Sequence, residues 1–109
     1  METVRSSREI ERMFAEGERA SHPLLLAIVM KTPSERGPGG RVAFIAGKRL
    51  GGAVSRNRAK RLLREAARRA GGPWDAFDVA FVARDALLDA RPEEIDRAMR
   101  SVLRRTGVE

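Results

Sequence analysis

Apolar residues fall on this chain in two rhythms, one with a period near 3.6 and one short and unbroken, and together they lay out most of its elements. Ile10, Met13 and Phe14 recur at helical spacing behind Ser6-Ser7-Arg8-Glu9, which has the form of a capping box, and Gly17 closes this short first helix. Leu24 to Met30 is apolar at every position, follows Pro23 and is too short for a helix; it predicts a strand buried on both faces or central in a sheet. Thr32 to Gly40 is rich in Gly and Pro and predicts a loop. Arg41 to Ala46 predicts a second strand, and the two strands are expected to pair as an antiparallel hairpin.

The helical rhythm then returns. Ala59, Leu62, Leu63, Ala66, Ala67 and Ala70 form one stripe, with Gly51-Gly52 as the turn before the helix, Ser55 available as its N-cap, and Gly71-Gly72-Pro73 as its stop. Asp78 to Arg84 predicts a further short strand, which Trp74 and Phe77 anchor as the chain enters it. Pro92, with Glu93 and Glu94 beside it, opens a last helix whose stripe is Ile95, Ala98, Met99, Val102 and Leu103, and Gly107 ends it. The order helix, strands, helix, strand, helix predicts one α+β domain over residues 1–109, a two-layer sandwich with helices packed on a mostly antiparallel sheet. The passage from the strand at 41–46 through the long helix to the strand at 78–84 is ordinarily a right-handed crossover between parallel strands, although spacing leaves its hand open.

Charge changes the picture at one place. Residues 48–69 carry a net charge of +8 in a chain whose net is +7, so everything outside that stretch sums to −1 and the charge reads as a localised device. On a helix, Asn57, Lys60, Arg61, Arg64 and Arg68 gather opposite the apolar stripe, while Arg56, Arg58 and Arg69 flank its boundary. A merely solvated face mixes signs to gain i,i+4 pairs; this one has almost no acids and suits a polyanion. An anionic membrane is the poorer partner, because interfacial helices present Trp, Phe and large aliphatics, whereas this stripe is mostly Ala with two Leu. A helix-turn-helix DNA binder needs a helix just before the recognition helix, where residues 41–46 are strand-like.

The remaining composition narrows the chemistry. The chain has no cysteine, which excludes disulfides and thiolate metal sites. Met1 to Arg5 lacks the apolar core of a signal peptide, and no apolar run approaches membrane-spanning length, so a cytoplasmic location is expected. Asp75, Asp78, Asp85 and Asp89 are spread over strand and loop rather than spaced as a two-metal carboxylate set, and His22 is the only histidine. Side chains of this protein are therefore not expected to carry catalysis. Asn57, amid arginines, has two open roles: hydrogen bonding to a base edge or 2′-hydroxyl, or a local backbone bond near the helix start.

The string Lys48-Arg49-x-Gly51-x-Ala53-Val54-x-Arg56-Asn57-Arg58-x-Lys60-Arg61-x-x-Arg64 resembles the "RNR" signature of the bacterial ribonuclease P protein component. The resemblance extends to the first helix ending in Phe14-x-x-Gly17, the strands on either side of the signature, and the last amphipathic helix. It implies a protein subunit of an endoribonuclease whose catalyst is a large RNA, which uses Mg²⁺ to remove the 5′ leader of precursor tRNA. Catalytic side chains are then none, and the partners are the catalytic RNA and precursor tRNA, with no membrane and no DNA. By this resemblance Arg56, Asn57, Arg58, Lys60, Arg61, Arg64 and Arg68 dock on the catalytic RNA, and a groove between the first helix and the sheet holds the single-stranded leader beside Ile10, Phe14, Lys48 and Arg49. It also implies a left-handed crossover. One departure is visible: leader grooves of this family usually carry aromatic residues, whereas here Ile10 stands at a second aromatic position and the 24–30 strand has no Tyr or Phe. A ribosomal or other structural RNA-binding protein, without a role in cleavage, is the alternative.

Overall fold

The structure, a computed structural model, describes residues 6–37 and 39–109; Met1–Arg5, read above for a signal peptide, and Pro38 of the loop lie outside the described residues. Three helices, α1 (Ser7–Glu16), α2 (Ala53–Arg69) and α3 (Pro92–Arg105), accompany four strands, β1 (Glu18–Ser21), β2 (Leu25–Lys31), β3 (Val42–Ile45) and β4 (Phe77–Ala83). The sheet order is β1-β2-β4-β3; β2 is antiparallel to both neighbours and β3 is parallel to β4. The α+β class and the mostly antiparallel sheet agree with the sequence reading, and β2 is indeed interior.

Pairing is where expectation and structure part. The 24–30 and 41–46 strands do not form a hairpin: β4 sits between them. β4 is buried along nearly its whole length, as a central strand with helices on both faces must be, and β2 gains more by pairing with it residue for residue from Leu25↔Ala83 to Lys31↔Phe77 than it could with a four-residue β3. The other edge of β2 is taken by β1, which hydrophobic patterning does not reveal because Glu18, Arg19 and Ser21 are exposed and Ala20 alone is buried. A short charged strand is what a sheet edge tolerates. The tight link from β1 to β2 is closed by His22, whose Nδ1 accepts the Leu24 N–H at 3.1 Å.

Alternation along the strands gives the sheet two apolar faces. Leu25, Ala27, Val29, Val42, Val79, Phe81 and Ala83 face α2 and α3, which bury Ala59, Leu63, Ala66, Ala67, Ile95, Ala98, Met99, Val102 and Leu103 against them. These helices and the sheet are the two layers expected from the sequence, to which α1 adds cover on the other face; Phe81 is the centre of this side, with Phe44 stacked on it and Trp74 edge-on at ring distances of 6.1 and 6.0 Å. On the opposite face, α1 buries Met13 over Ile28, Ala43 and Ala80. Ser6 Oγ accepts the Glu9 N–H as the N-cap of α1. The α2 N-cap is Gly52 rather than Ser55, which lies inside the first turn; Gly51, with φ at 110°, sets the chain direction into the helix.

Two expected outcomes follow from these contacts. A Cβ on Gly40, just ahead of β3, would stand 1.9 Å from the Trp74 carbonyl oxygen and 2.1 Å from that of Phe77, both backbone atoms unable to swing aside. Gly40→Ala is expected to lower unfolding free energy by about 2–3 kcal/mol, read from a urea titration, and an unchanged midpoint would show the two segments are not held together there. His22 has its pKa pushed below the usual 6.5, first by burial and then by the Arg105 guanidinium. A depressed histidine contributes stability that is intact above pH 6.5 and is lost as pH falls below it. His22→Asn, which keeps an acceptor for the Leu24 N–H, is expected to flatten the acid-side fall of Tm, and identical Tm profiles would exclude this source.

Candidate nucleic-acid interface

The 3.6-residue period fixes the direction in which α2 presents its charge. With Ala59, Leu63, Ala66 and Ala67 buried, Asn57, Arg58, Arg61, Arg64 and Arg68 are exposed and Lys60 is half-buried at the margin. From Asn57 to Arg68 the row runs about 16 Å along the helix axis. Among the described residues, none of Arg56, Arg58, Lys60, Arg61, Arg64 and Arg68 has a carboxylate within 4.0 Å. The face is thus neither scattered nor consumed by internal ion pairs. Arg69 differs: its guanidinium grips Asp96 of α3, with the nearest approach 2.8 Å, and so ties the two helices together.

Local contacts sort the residues of this face further. The Arg64 guanidinium lies 5.5 Å from the centre of the Phe44 ring, so it is held in place by cation–π attraction before any ligand arrives. Arg56 stands three residues before the buried Ala59 and is half-buried, with its Nε out of solvent and unpartnered. Val54, at the helix start, is 85% exposed, an apolar side chain one turn before Arg58. Gly52 offers no side-chain cap, so the positive end of the helix dipole adds to the field of the arginines.

The second part of the site lies on the sheet face that carries α1. Met13 covers the row Ile28–Ala80–Ala43, while the adjacent row Leu26–Val82–Ile45 is only half-buried and forms an apolar floor beside Phe14 and Ile10. Arg19, on the neighbouring edge strand, places its guanidinium 5.5 Å from the Phe14 ring centre. From Val82 the surface dips into a depression of about 460 Å³ bordered by Gly47, Arg49, Leu50 and Arg84. Lys48 and Arg49 sit on the 3-10 turn of residues 48–50 that joins the end of β3 to α2, so a single turn connects this groove to the basic helix. Arg49 is nearly fully exposed, 3.9 Å from Asp85.

The structure therefore gathers the expected residues into two neighbouring areas: Asn57 to Arg68 on α2, and Ile10, Phe14, Lys48 and Arg49 around the groove. Leu26, Ile45, Val82, Arg19 and Arg84 belong to the groove as well and were not singled out from sequence. The first three read as ordinary core residues in an apolar strand, and only their partial exposure distinguishes them.

Position of the groove depends on a buried ionic cluster. Asp78 accepts hydrogen bonds from the Thr32 hydroxyl at 3.0 Å, the Arg41 backbone N–H at 3.1 Å and the Arg36 guanidinium. Arg41 in turn pairs with Glu9 of α1, and so pins the helix to the sheet. Asp78 is thus committed to structure. Among the described residues no group of three or more His, Asp or Glu side chains converges as a metal would require, and no helix is long and apolar enough to cross a membrane.

The family model described as Ribonuclease P matches residues 1–107. The chain is 37% identical over 95 residues to the Ribonuclease P protein component of Dehalococcoides mccartyi (strain CBDB1), covering 87% of this chain and 76% of that protein. It is 31% identical over 108 residues to that of Clostridium novyi (strain NT), covering 98% and 95%. The solved RNase P protein of Staphylococcus aureus superposes with a TM-score of 0.84 at 21% identity over 99% of this chain and 97% of that one. The Thermotoga maritima protein gives 0.80 at 23%, over 96% and 97%. At such identities the superpositions speak for the fold, and the family model with the two relatives speaks for kinship: the chain belongs to the Ribonuclease P protein family.

Proposed function

We propose that this chain is the protein subunit of ribonuclease P, which grips a catalytic RNA with α2 and holds the single-stranded 5′ leader of precursor tRNA along the groove while the RNA hydrolyses the phosphodiester in a Mg²⁺-dependent step. The observation that carries this reading is the unpaired cationic row on α2, joined by one turn to a half-open apolar groove. Arginine suits the first task because its fork bonds two phosphate oxygens at once and its plane stacks on bases. The second task needs a surface that accepts any sequence, and an apolar floor with one ring and charged rims does so. In this reading Mg²⁺ belongs to the RNA and substrate, and the protein's share is binding and alignment.

Reconstitution tests this directly. Purified protein and a bacterial ribonuclease P RNA, combined at low Mg²⁺, are expected to yield 5′-mature tRNA, with no cleavage by the protein alone. RNA binding without any gain in cleavage would move the chain to the class of structural RNA-binding proteins. Phe14→Ala is expected to reduce preference for precursor over mature tRNA about tenfold, the scale of one lost stacking contact, while assembly with the catalytic RNA is unchanged. Loss of folding instead would assign Phe14 to packing with Met13.

A further inference from the structure

The net charge of −1 outside residues 48–69 conceals a second cationic surface. The first turns of α3 hold Glu93, Glu94 and Asp96, and the rest of the helix holds Arg97, Arg100, Arg104 and Arg105 with no acid among them. The acids are already engaged: Asp96 with Arg69, Glu94 with the Arg91 N–H at 2.9 Å, and Glu93 facing Arg91 at 3.9 Å. Among the described residues, Arg97, Arg100 and Arg104 have no ion-pair partner. They are exposed at i, i+3 and i+7, one stripe about 10 Å long, opposite a stripe whose burial fixes the helix's rotation. Between them lies a shallow depression of about 420 Å³ lined only by these three residues, Ser101 and Arg105, and Arg105 is anchored by donation to the Ser21 carbonyl at 2.7 Å.

We propose that this face of α3 is a second phosphate-binding surface, which takes a further segment of the same large RNA that α2 engages. The proposal rests on the reading of α2 given above. Cations in a last turn can simply complement the helix dipole, which accounts for Arg104 and Arg105 but not for Arg97 and Arg100, set further back. A protein partner would be expected to find an aromatic or aliphatic anchor, and this depression offers guanidinium groups and a hydroxyl. The leader is not the occupant, because its groove lies on the opposite face of the sheet. α2 and α3 share a layer and are tied by Arg69–Asp96, so a body large enough to cover α2 meets α3 from the same side.

The test uses the full chain and ribonuclease P RNA, with affinity measured against salt concentration. Arg97→Ala/Arg100→Ala/Arg104→Ala is expected to lower the slope of log K against log salt by about 2–3 and the affinity at least tenfold, since each phosphate contact contributes about 0.7–0.9 to that slope. The corresponding triple Lys variant keeps the charges and is expected to keep most of the slope. Because the chain has no cysteine, Ser101→Cys and Asn57→Cys each give a single attachment point for a hydroxyl-radical reagent, independent of how the alanine variant folds. Discrete RNA cuts from position 101, at nucleotides different from those cut from position 57, support the proposal. Cuts from 57 with none from 101 overturn it and spare the α2 reading; a wild-type chain that does not bind this RNA overturns both. An unchanged salt slope, with polyglutamate retained by the wild type and not by the variant, would give the surface to an acidic protein.

Discussion

Asp78→Ala is expected to lower the unfolding free energy by about 4 kcal/mol, because it leaves two largely buried guanidinium groups, those of Arg36 and Arg41, without the carboxylate between them. The same change removes the acceptor for the Arg41 backbone N–H and the Thr32 hydroxyl, so the loss extends beyond charge. Urea unfolding measures the effect, and a change below about 1 kcal/mol would show that water replaces the carboxylate there. Glu9→Gln separates stability from position: it weakens the tie between Arg41 and α1 while Asp78 stays intact, so leader affinity should fall more than the unfolding midpoint.

The second large effect concerns the basic row. Arg58→Ala/Arg61→Ala/Arg64→Ala is expected to weaken association with the catalytic RNA roughly 100-fold, at about 1 kcal/mol for each lost solvent-exposed ion pair, and to reduce the salt slope by about 2–3. All three side chains are exposed, so the fold should survive, and circular dichroism checks that it does. Arg56 is the less informative target, since its half-buried position mixes packing with binding. An unaltered salt slope would reject the assignment of this face to phosphate.

Much of this was legible in the residues because helices advertise themselves locally. The stripes of α1, α2 and α3, their Gly and Pro boundaries and the one-sided charge of α2 all follow from a 3.6-residue period. The sheet order was not legible, because nothing within Leu25–Lys31 states whether β3 or β4 is the better neighbour; that is decided by which strand can be buried on both faces. β1 escaped notice because three of its four side chains point to solvent. The groove floor escaped because half-buried Leu26, Ile45 and Val82 are chemically the same as core residues, and the α3 row because acids one turn earlier cancel it in any sum along the chain. The 42–45 strand was found, but its partner lay more than thirty positions away.

The place of β4 in the sheet also governs how this chain is made. Until residues 77–83 leave the ribosome, the β1–β2 hairpin and the β3–α2 segment lack the strand that joins them, since among the described residues β4 is the neighbour common to both. Vectorial synthesis therefore completes the most cationic helix before the central strand of the sheet it packs on, and docking comes late and together. A product terminated ahead of Phe77 has no native half to keep, so quality control meets either the finished molecule or an unfolded polybasic fragment.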